Sequence, residues 1–228
     1  MISIIIPILN DNEALIRSIN SIAKLNQKKV DLIIVDGSKS SNLNAIKNKT
    51  RFSFKYIHAK NSSVYEAMNI GIKNSKGKFL YFMGAGDMIK RFPKIRNSDE
   101  LICGRVKFKK KNIKQFKILF FIGFFNILHH QSLIYNKKIF LNYLYDTSYK
   151  SLSDYNLNII LIKNSYKIRF LNDFLISEIK PHGLSSNYFL SIKEGVKILY
   201  SNKFYFYIIF YILITTLSTI KNKLILRF

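Results

Sequence analysis

Residues 78–87, KFLYFMGAGD, decide the fold. Five apolar residues, Phe79 to Met83, run without a polar break, as expected of a strand buried on both faces; a half-wet strand would alternate. The run ends on Gly84, Ala85, Gly86 and a lone carboxylate, Asp87. Small residues and one acid after a buried strand mark a place where a ligand can approach the backbone closely.

The same unit recurs toward the N-terminus. ISIII (2–6) is a β-branched run ending at Pro7, followed by Asn10 and Glu13 at capping-box spacing and by Leu15, Ile19 and Ile22 on one helical face. VDLIIVD (30–36) predicts a second strand ending in Asp36-Gly37-Ser38, with a short polar helix around 41–49; FKYIH (54–58) predicts a third. Ser63 and Glu66 predict a capping box at the head of a helix through Asn74, with Gly77 as its stop. This alternation predicts an α/β fold, a mostly parallel central sheet with flanking helices. Ligands of such sheets bind outside the carboxyl ends of the strands, at a switch point, where the sequence puts Asn10, Asp11, Asp36 to Ser38 and Gly84 to Asp87. There is no GxGxxG and no Walker lysine, so neither the dinucleotide fingerprint nor the P-loop applies.

At 228 residues and 48% hydrophobic content, the chain can bury a full core, which excludes a disordered polymer. A single cysteine, Cys103, excludes an intramolecular disulfide framework and a cysteine-rich metal site. MISIIIPILN has neither a basic leader nor a small-residue cleavage pattern, so the expected location is cytoplasmic or on the cytoplasmic face of the inner membrane. The net charge of +24 attracts anions: nucleic acid, anionic lipid or a phosphorylated substrate. A coding bias toward Lys, Asn and Ile would produce the same global charge without a partner.

Local clusters say more. Arg105 to Lys117 holds seven basic residues and no acid, followed by ILFFIGFFNIL (118–128), too short to span a bilayer. It reads either as contact with an anionic membrane surface or as a solvated loop followed by a core element. Between Lys203 and Lys221 lie seventeen uncharged residues, at the lower limit of a span; with tyrosines spread through them, association with the membrane interface is the favoured reading. The expected organisation is one domain over 1–190, in two halves that divide at about 105. A hydrophobic or amphipathic, membrane-associating helical tail covers 191–228.

Taken in order, SIIIPILNDNEALIRSINSI, LIIVDGS and VYEAMNIGIKNSKGKFLYFMGAGD resemble the family 2 glycosyltransferases of bacterial surface-polysaccharide and O-antigen synthesis, over residues 2–90. HHQSLIY (129–135), SDYNL (153–157) and HGLSS (182–186) are weaker echoes of the same group. The resemblance implies a GT-A fold, a nucleotide-diphosphate sugar donor, Mg²⁺ or Mn²⁺, a lipid-linked glycan acceptor, and inversion by direct displacement. It implies no nucleic-acid partner, and it makes 1–190 a catalytic domain with a nucleotide-sugar-binding half to 105 and an acceptor half over 106–190. It puts Pro7, Asn10, Asp36, Ser38, Tyr65, Asn69, Gly86 and Asp87 at the donor, with Asp36 on the nucleoside and Asp87 on the metal and pyrophosphate. Asp154 would be the general base, and His130, Gln131 and His182 would lie on the acceptor side.

The chemistry agrees with those residue types. A departing diphosphate gathers negative charge, and a hard cation beside it needs only one or two carboxylates; an attacking hydroxyl needs a base ionised near neutral pH. The chain departs from the family at Gly86-Asp87, where two adjacent acids are common, at Asn61 and Ser63, where Asp and Gly are common, and at His182, where Gly is usual. Singly, each feature has a plainer reading. Asp36 to Ser38 is then a strand-ending turn, Asp87 and Asp154 are helix caps, and His129, His130 and Gln131 satisfy buried backbone. For the whole chain the alternatives are a non-catalytic basic protein binding membrane or nucleic acid on an α/β scaffold, and a nucleotidyltransferase that makes a nucleotide-sugar.

Overall fold

The computed structural model describes residues 1–25, 30–41, 43–108, 111–113, 122–124, 126–179 and 188–225. The first half runs β1 (Ile2–Ile8), α1 (Asn12–Ala23), β2 (Val30–Asp36), α2 (Leu43–Lys47), β3 (Lys55–His58), α3 (Val64–Asn74), β4 (Phe79–Phe82), β5 (Met88–Ile89). The second runs β6 (Leu101–Phe108), β7 (Lys111–Ile113), β8 (Leu133–Asn136), α4 (Ser153–Lys163), β9 (Ile168–Ile179), α5 (Tyr188–Ser201), α6 (Tyr205–Ile225). The strands form one sheet in the order β3-β2-β1-β4-β8-β6-β9-β5, with β7 added on β6.

Continuous apolar strands are explained by cores on both faces. Ile5, Ile33, Val35, Leu80 and Phe82 point to one core, closed by Tyr65, Met68 and Ile72 of α3, Tyr155 and Leu157 of α4, Ile198 and Leu199 of α5 and Tyr211 of α6. Their neighbours Ile4, Ile6, Leu32, Ile34, Tyr81 and Met83 point to the other, closed by Leu15, Ile19 and Ile22 of α1 and Ile46 of α2. Period-two side-chain alternation thus sorts the strands between two layers of helices. Gly71 lets α3 come this close, because a Cβ there would lie 2.4 Å from Cγ2 of Ile5.

Several expectations need correcting. β1 continues through Pro7, which pairs with Val35, and ends at Ile8. The cap of α1 is Asp11, whose side chain accepts from Ala14 N–H, while Asn10 takes a left-handed φ of 53°. The Ser63/Glu66 capping box is present, but α3 stops at Ser75 rather than Gly77. The sheet is parallel only in part: β3, β2, β1 and β4 run parallel, whereas β8 pairs antiparallel with both β4 and β6. A mixed sheet replaces the mostly parallel one.

The basic run is described only in part. Arg105 and Lys107 lie on β6, Lys111 falls in β7, and Lys109, Lys110, Lys114 and Lys117 lie outside the described residues. Of the apolar segment behind it, Ile122, Ile127 and Leu128 are buried in the first core. The helix α5 begins at Tyr188, across the expected boundary at 190, and its Glu194 accepts backbone N–H groups of Lys150, Ser151 and Leu152 at 2.6, 2.9 and 2.9 Å. Among the described residues no helix is long and apolar enough to cross a membrane.

Candidate active site

The strand order places a switch point between β1 and β4: the chain steps from β1 outward to β2 and β3, then returns to the other side of β1. Two loops flank it, residues 9–11 after β1 and 83–87 after β4. Register puts Ile8, Asp36 and His58 in one row across three parallel strands. There the Ser38 hydroxyl accepts from Asn10 N–H at 2.9 Å, and the Ser38 carbonyl lies 2.9 Å from Nε2 of His58. Asp36 is fully buried; its carboxylate accepts from Ser38 N–H at 2.9 Å and from the Tyr56 hydroxyl. Asn10, Asp36 and Ser38 are therefore together, as expected, with Tyr56 and His58 beside them. Pro7 sits one residue back, inside β1.

The 83–87 loop closes on itself. Gly84 N–H donates to Oδ2 of Asp87 at 3.1 Å, and Asp87 N–H donates to the Gly84 carbonyl at 3.1 Å. Gly86 has a φ of 99°, a conformation glycine adopts without strain. Ser18 of α1 pins the turn from outside: its hydroxyl accepts from Gly86 N–H and donates to the Asp87 carbonyl, both at 2.8 Å. Asp87 is only 3% exposed, and β5 follows it, so it is not a helix cap. A Mg²⁺ or Mn²⁺ ion needs outward-facing oxygens. A single enclosed carboxylate already engaged by Gly84 does not fit a cation held by the protein. Among the described residues no three His, Cys, Asp or Glu side chains cluster as a metal site.

A second cluster lies at the same edge. β8 runs antiparallel to β4 with Tyr81 opposite Ile134, so the start of β8 lies beside the carboxyl end of β4. The Tyr81 hydroxyl donates to the Gln131 carbonyl at 2.9 Å, fixing the 3-10 turn His130–Ser132. Nδ1 of His130 is 3.2 Å from Oδ2 of Asp154, the second residue of α4 rather than its cap. The Tyr65 hydroxyl donates to the Ser151 carbonyl at 2.7 Å and reaches Oδ1 of Asp154 at 3.2 Å. Asn126 Nδ2 approaches Oδ2 at 3.5 Å.

Burial by itself would raise the Asp154 pKa. The bond and charge of His130, the Tyr155 backbone N–H and the Tyr65 hydroxyl outweigh it and hold the carboxyl below its usual range. Burial and then the Asp154 charge push the Tyr65 hydroxyl up, so it remains a donor. Burial, then His130, holds His129 below the ordinary imidazole value. Tyr65 thus serves the Asp154 cluster, and Asn69, bonded through both amide atoms to the Tyr145 backbone at 2.8 and 3.0 Å, ties α3 to the following loop. His182 lies outside the described residues.

Ser18, Tyr56, His58, Asn126 and Glu194 were not singled out from the sequence. Ser18 had a signal, a hydroxyl on the apolar face of α1 between Leu15 and Ile19; so did Glu194, the lone acid after Glu178. Tyr56 and His58 stand at the end of the third strand, where the carboxyl-end rule points equally.

Residues 3–91 match the family model described as Glycosyl transferase family 2. The chain is similar to that family over this stretch. Over 90 residues, 38% of the chain, it is 36% identical to an uncharacterised glycosyltransferase of Rickettsia conorii, of which the match spans 15%. Over 118 residues, 46% of the chain, it is 31% identical to the poly(ribitol-phosphate) β-N-acetylglucosaminyltransferase TarP of Staphylococcus aureus, of which the match spans 36%. A further match, to an uncharacterised glycosyltransferase of Rickettsia bellii, spans 18% of that protein, so the chain matches only a minor part of its curated relatives' length. In fold it is similar to S. aureus TarS solved with UDP-GlcNAc, with a TM-score of 0.64, 16% identity, and 87% of this chain and 66% of that one covered. The mannosyltransferase PcManGT of Pyrobaculum calidifontis, solved with GDP-Man and Mn²⁺, gives 0.61 at 9% identity, covering 88% and 63%. Both likenesses show a GT-A-like fold.

Proposed function

We propose that the protein transfers a sugar from a nucleotide-diphosphate sugar to a hydroxyl of a lipid-linked glycan, in surface-polysaccharide synthesis at the cytoplasmic face of the inner membrane. The observation that carries this reading is the juxtaposition, at one sheet edge, of the Asn10–Asp36–Ser38 row and the His130–Asp154 pair. A polar row at a switch point suits a nucleoside, and an ionised carboxylate hydrogen-bonded to an imidazole beyond it suits removal of a hydroxyl proton. TarS, solved with UDP-GlcNAc, supports the donor class, and TarP, named for poly(ribitol-phosphate), supports a glycan-polymer acceptor.

In the displacement, the acceptor oxygen bonds to the anomeric carbon as its bond to the β-phosphate oxygen breaks. The electron pair leaves with the nucleoside diphosphate, the configuration inverts, and the acceptor's proton passes to the His130–Asp154 pair. Gly84 and Gly86 keep bulk away from the diphosphate, and Ser18 holds their loop in place. No step is assigned to a metal ion, since Asp87 is turned inward.

Calorimetric titration with UDP, GDP, CDP and dTDP, each with and without Mn²⁺, tests the reading. Saturable binding of one of them is expected. Binding of none, under either condition, would overturn it and leave the basic-scaffold alternative.

A further inference from the structure

If sugar transfer is the reaction, as proposed above, we infer that Glu194 of α5 is a positioning residue for the His130–Asp154 pair, acting through the segment that leads into α4. Asp154 is the second residue of that helix, so the helix start sets its place. Leu152, the cap, offers no side-chain hydrogen bond of its own. The N–H groups of Lys150, Ser151 and Leu152 turn instead to one carboxylate, that of Glu194, at 2.6, 2.9 and 2.9 Å. Converging backbone N–H groups favour an anion, and bonds to a charged acceptor are the strong ones. Glu194 is 7% exposed, so three donors at once satisfy a carboxylate that would be costly to bury alone.

Ser151 is held from both sides: its N–H goes to Glu194, and its carbonyl accepts the Tyr65 hydroxyl of α3 at 2.7 Å. Three residues on, the Asp154 carboxylate stands 3.2 Å from Nδ1 of His130. Misplacing a reacting group by about 1 Å costs on the order of 100-fold in rate. The clamp on 150–152 keeps the head of α4 from such a shift. Among the described residues Glu194 forms no hydrogen bond to either member of the pair, so its influence travels through this backbone.

Glu194 is itself fixed by packing. Ile198 and Leu199, one turn on, are buried in the first core. Gly195 leaves room for the Tyr211 ring of α6, since a Cβ there would lie 2.2 Å from its Oη. That ring stacks on Tyr155 of α4 with centroids 6.1 Å apart, and its hydroxyl donates to the Ser191 carbonyl at 3.3 Å. Further along, the Asn202 amide donates to Oδ1 of Asn156 at 3.1 Å, and Nζ of Lys197 lies 5.1 Å from the centre of the Tyr149 ring. The two C-terminal helices thus grip α4 at its head and along its side, as part of the acceptor half and not as an appendage to it.

Three variants of the full chain test this. Glu194→Gln keeps the volume but sets an amide NH₂ against N–H donors. Glu194→Asp keeps the charge and withdraws it by one methylene. Asp99→Asn removes the ion pair to Arg169 and serves as the control for lost stability. Ring ¹⁵N signals of His130, read without substrate, are expected to move in Glu194→Gln and to stay in place in Asp99→Asn. Turnover is read as UDP released from UDP-GlcNAc, or GDP from GDP-mannose, with water as acceptor. Glu194→Gln is expected to lower kcat by about tenfold or more with donor KM unchanged, Glu194→Asp by less, and Asp99→Asn to leave it near wild type. Where neither donor turns over with water, the His130 signals decide. Unmoved signals, wild-type kcat in Glu194→Gln, an equal loss in Asp99→Asn, or failure of both Glu194 variants to fold would make Glu194 a staple of the fold and overturn the proposal, with sugar transfer left standing. Failure of wild type to bind any nucleoside diphosphate overturns sugar transfer itself, and this proposal with it, whatever the His130 signals show.

Discussion

Asp87 illustrates how a side chain's neighbours decide its job. From sequence it is an acid after two glycines and reads as a metal ligand; in the fold its carboxylate accepts Gly84 N–H and its carbonyl takes the Ser18 hydroxyl. Ser18 lies 69 residues away in the chain, which is why the loop's closure was not legible locally. An asparagine oxygen accepts the same N–H bond, whereas alanine removes it, at a cost of about 0.5–1.5 kcal/mol. Asp87→Asn is therefore expected to keep nucleoside-diphosphate affinity within about threefold of wild type, with and without Mn²⁺. Asp87→Ala is expected to loosen the loop and weaken binding more. Calorimetry decides: Mn²⁺-dependent binding that disappears in Asp87→Asn would make the carboxylate a ligand after all.

Elements held by local rules were the readable ones. The α3 capping box uses residues three apart, and the buried strands of the parallel half announce themselves by unbroken apolar runs. The later half is assembled by partners far apart in sequence, such as Leu101 with Ile168, and no short-range pattern specifies those pairings. One device there is the Arg169 guanidinium of β9, which donates to both oxygens of Asp99, at 2.8 and 2.6 Å, and to the Lys94 carbonyl. Asp99 also accepts Arg96 N–H, so it joins β9 to the segment leading into β6. The Arg169 bond, against an opposing burial effect, holds Asp99 below the ordinary carboxylate range. A depressed folded-state pKa contributes stability above the unfolded value near 3.9 and loses it as pH falls through the folded value. Asp99→Asn is expected to cost about 1–3 kcal/mol at neutral pH in urea melts. Its deficit should shrink below about pH 4, where wild type loses the same contribution. A deficit unchanged down to pH 2 would mean that the ion pair is not what Asp99 contributes.

At the scale of the whole molecule, charge and shape meet on α6. Tyr207, Ile208 and Tyr211 pack toward the core, while Phe206, Ile209, Phe210, Leu213 and Leu217 form the opposite stripe, with Ile209 74% exposed. The sequence showed an uncharged run but not which side of it was already used; packing through Tyr211 and α5 settles that. A chain of net charge +24 is drawn to an anionic surface, each basic residue close to it adding about 1 kcal/mol. That attraction is screened beyond roughly 10 Å at 0.1 M salt. Burying a large apolar side chain adds about 1.5–3 kcal/mol and does not depend on salt in this way. The protein is therefore expected to co-sediment with phosphatidylglycerol-containing vesicles, to bind pure phosphatidylcholine vesicles less, and to retain part of its binding at high salt. Ile209→Asp with Leu213→Asp removes about 3–6 kcal/mol of apolar contact while changing the net charge by only two. Binding that survives in this variant, and that vanishes in both proteins when salt is raised, would assign the attraction to charge alone. Loss of the apolar component with the monomer unchanged on a sizing column would assign it to the stripe, because a second copy covering that face would instead appear as a wild-type dimer that the aspartates split.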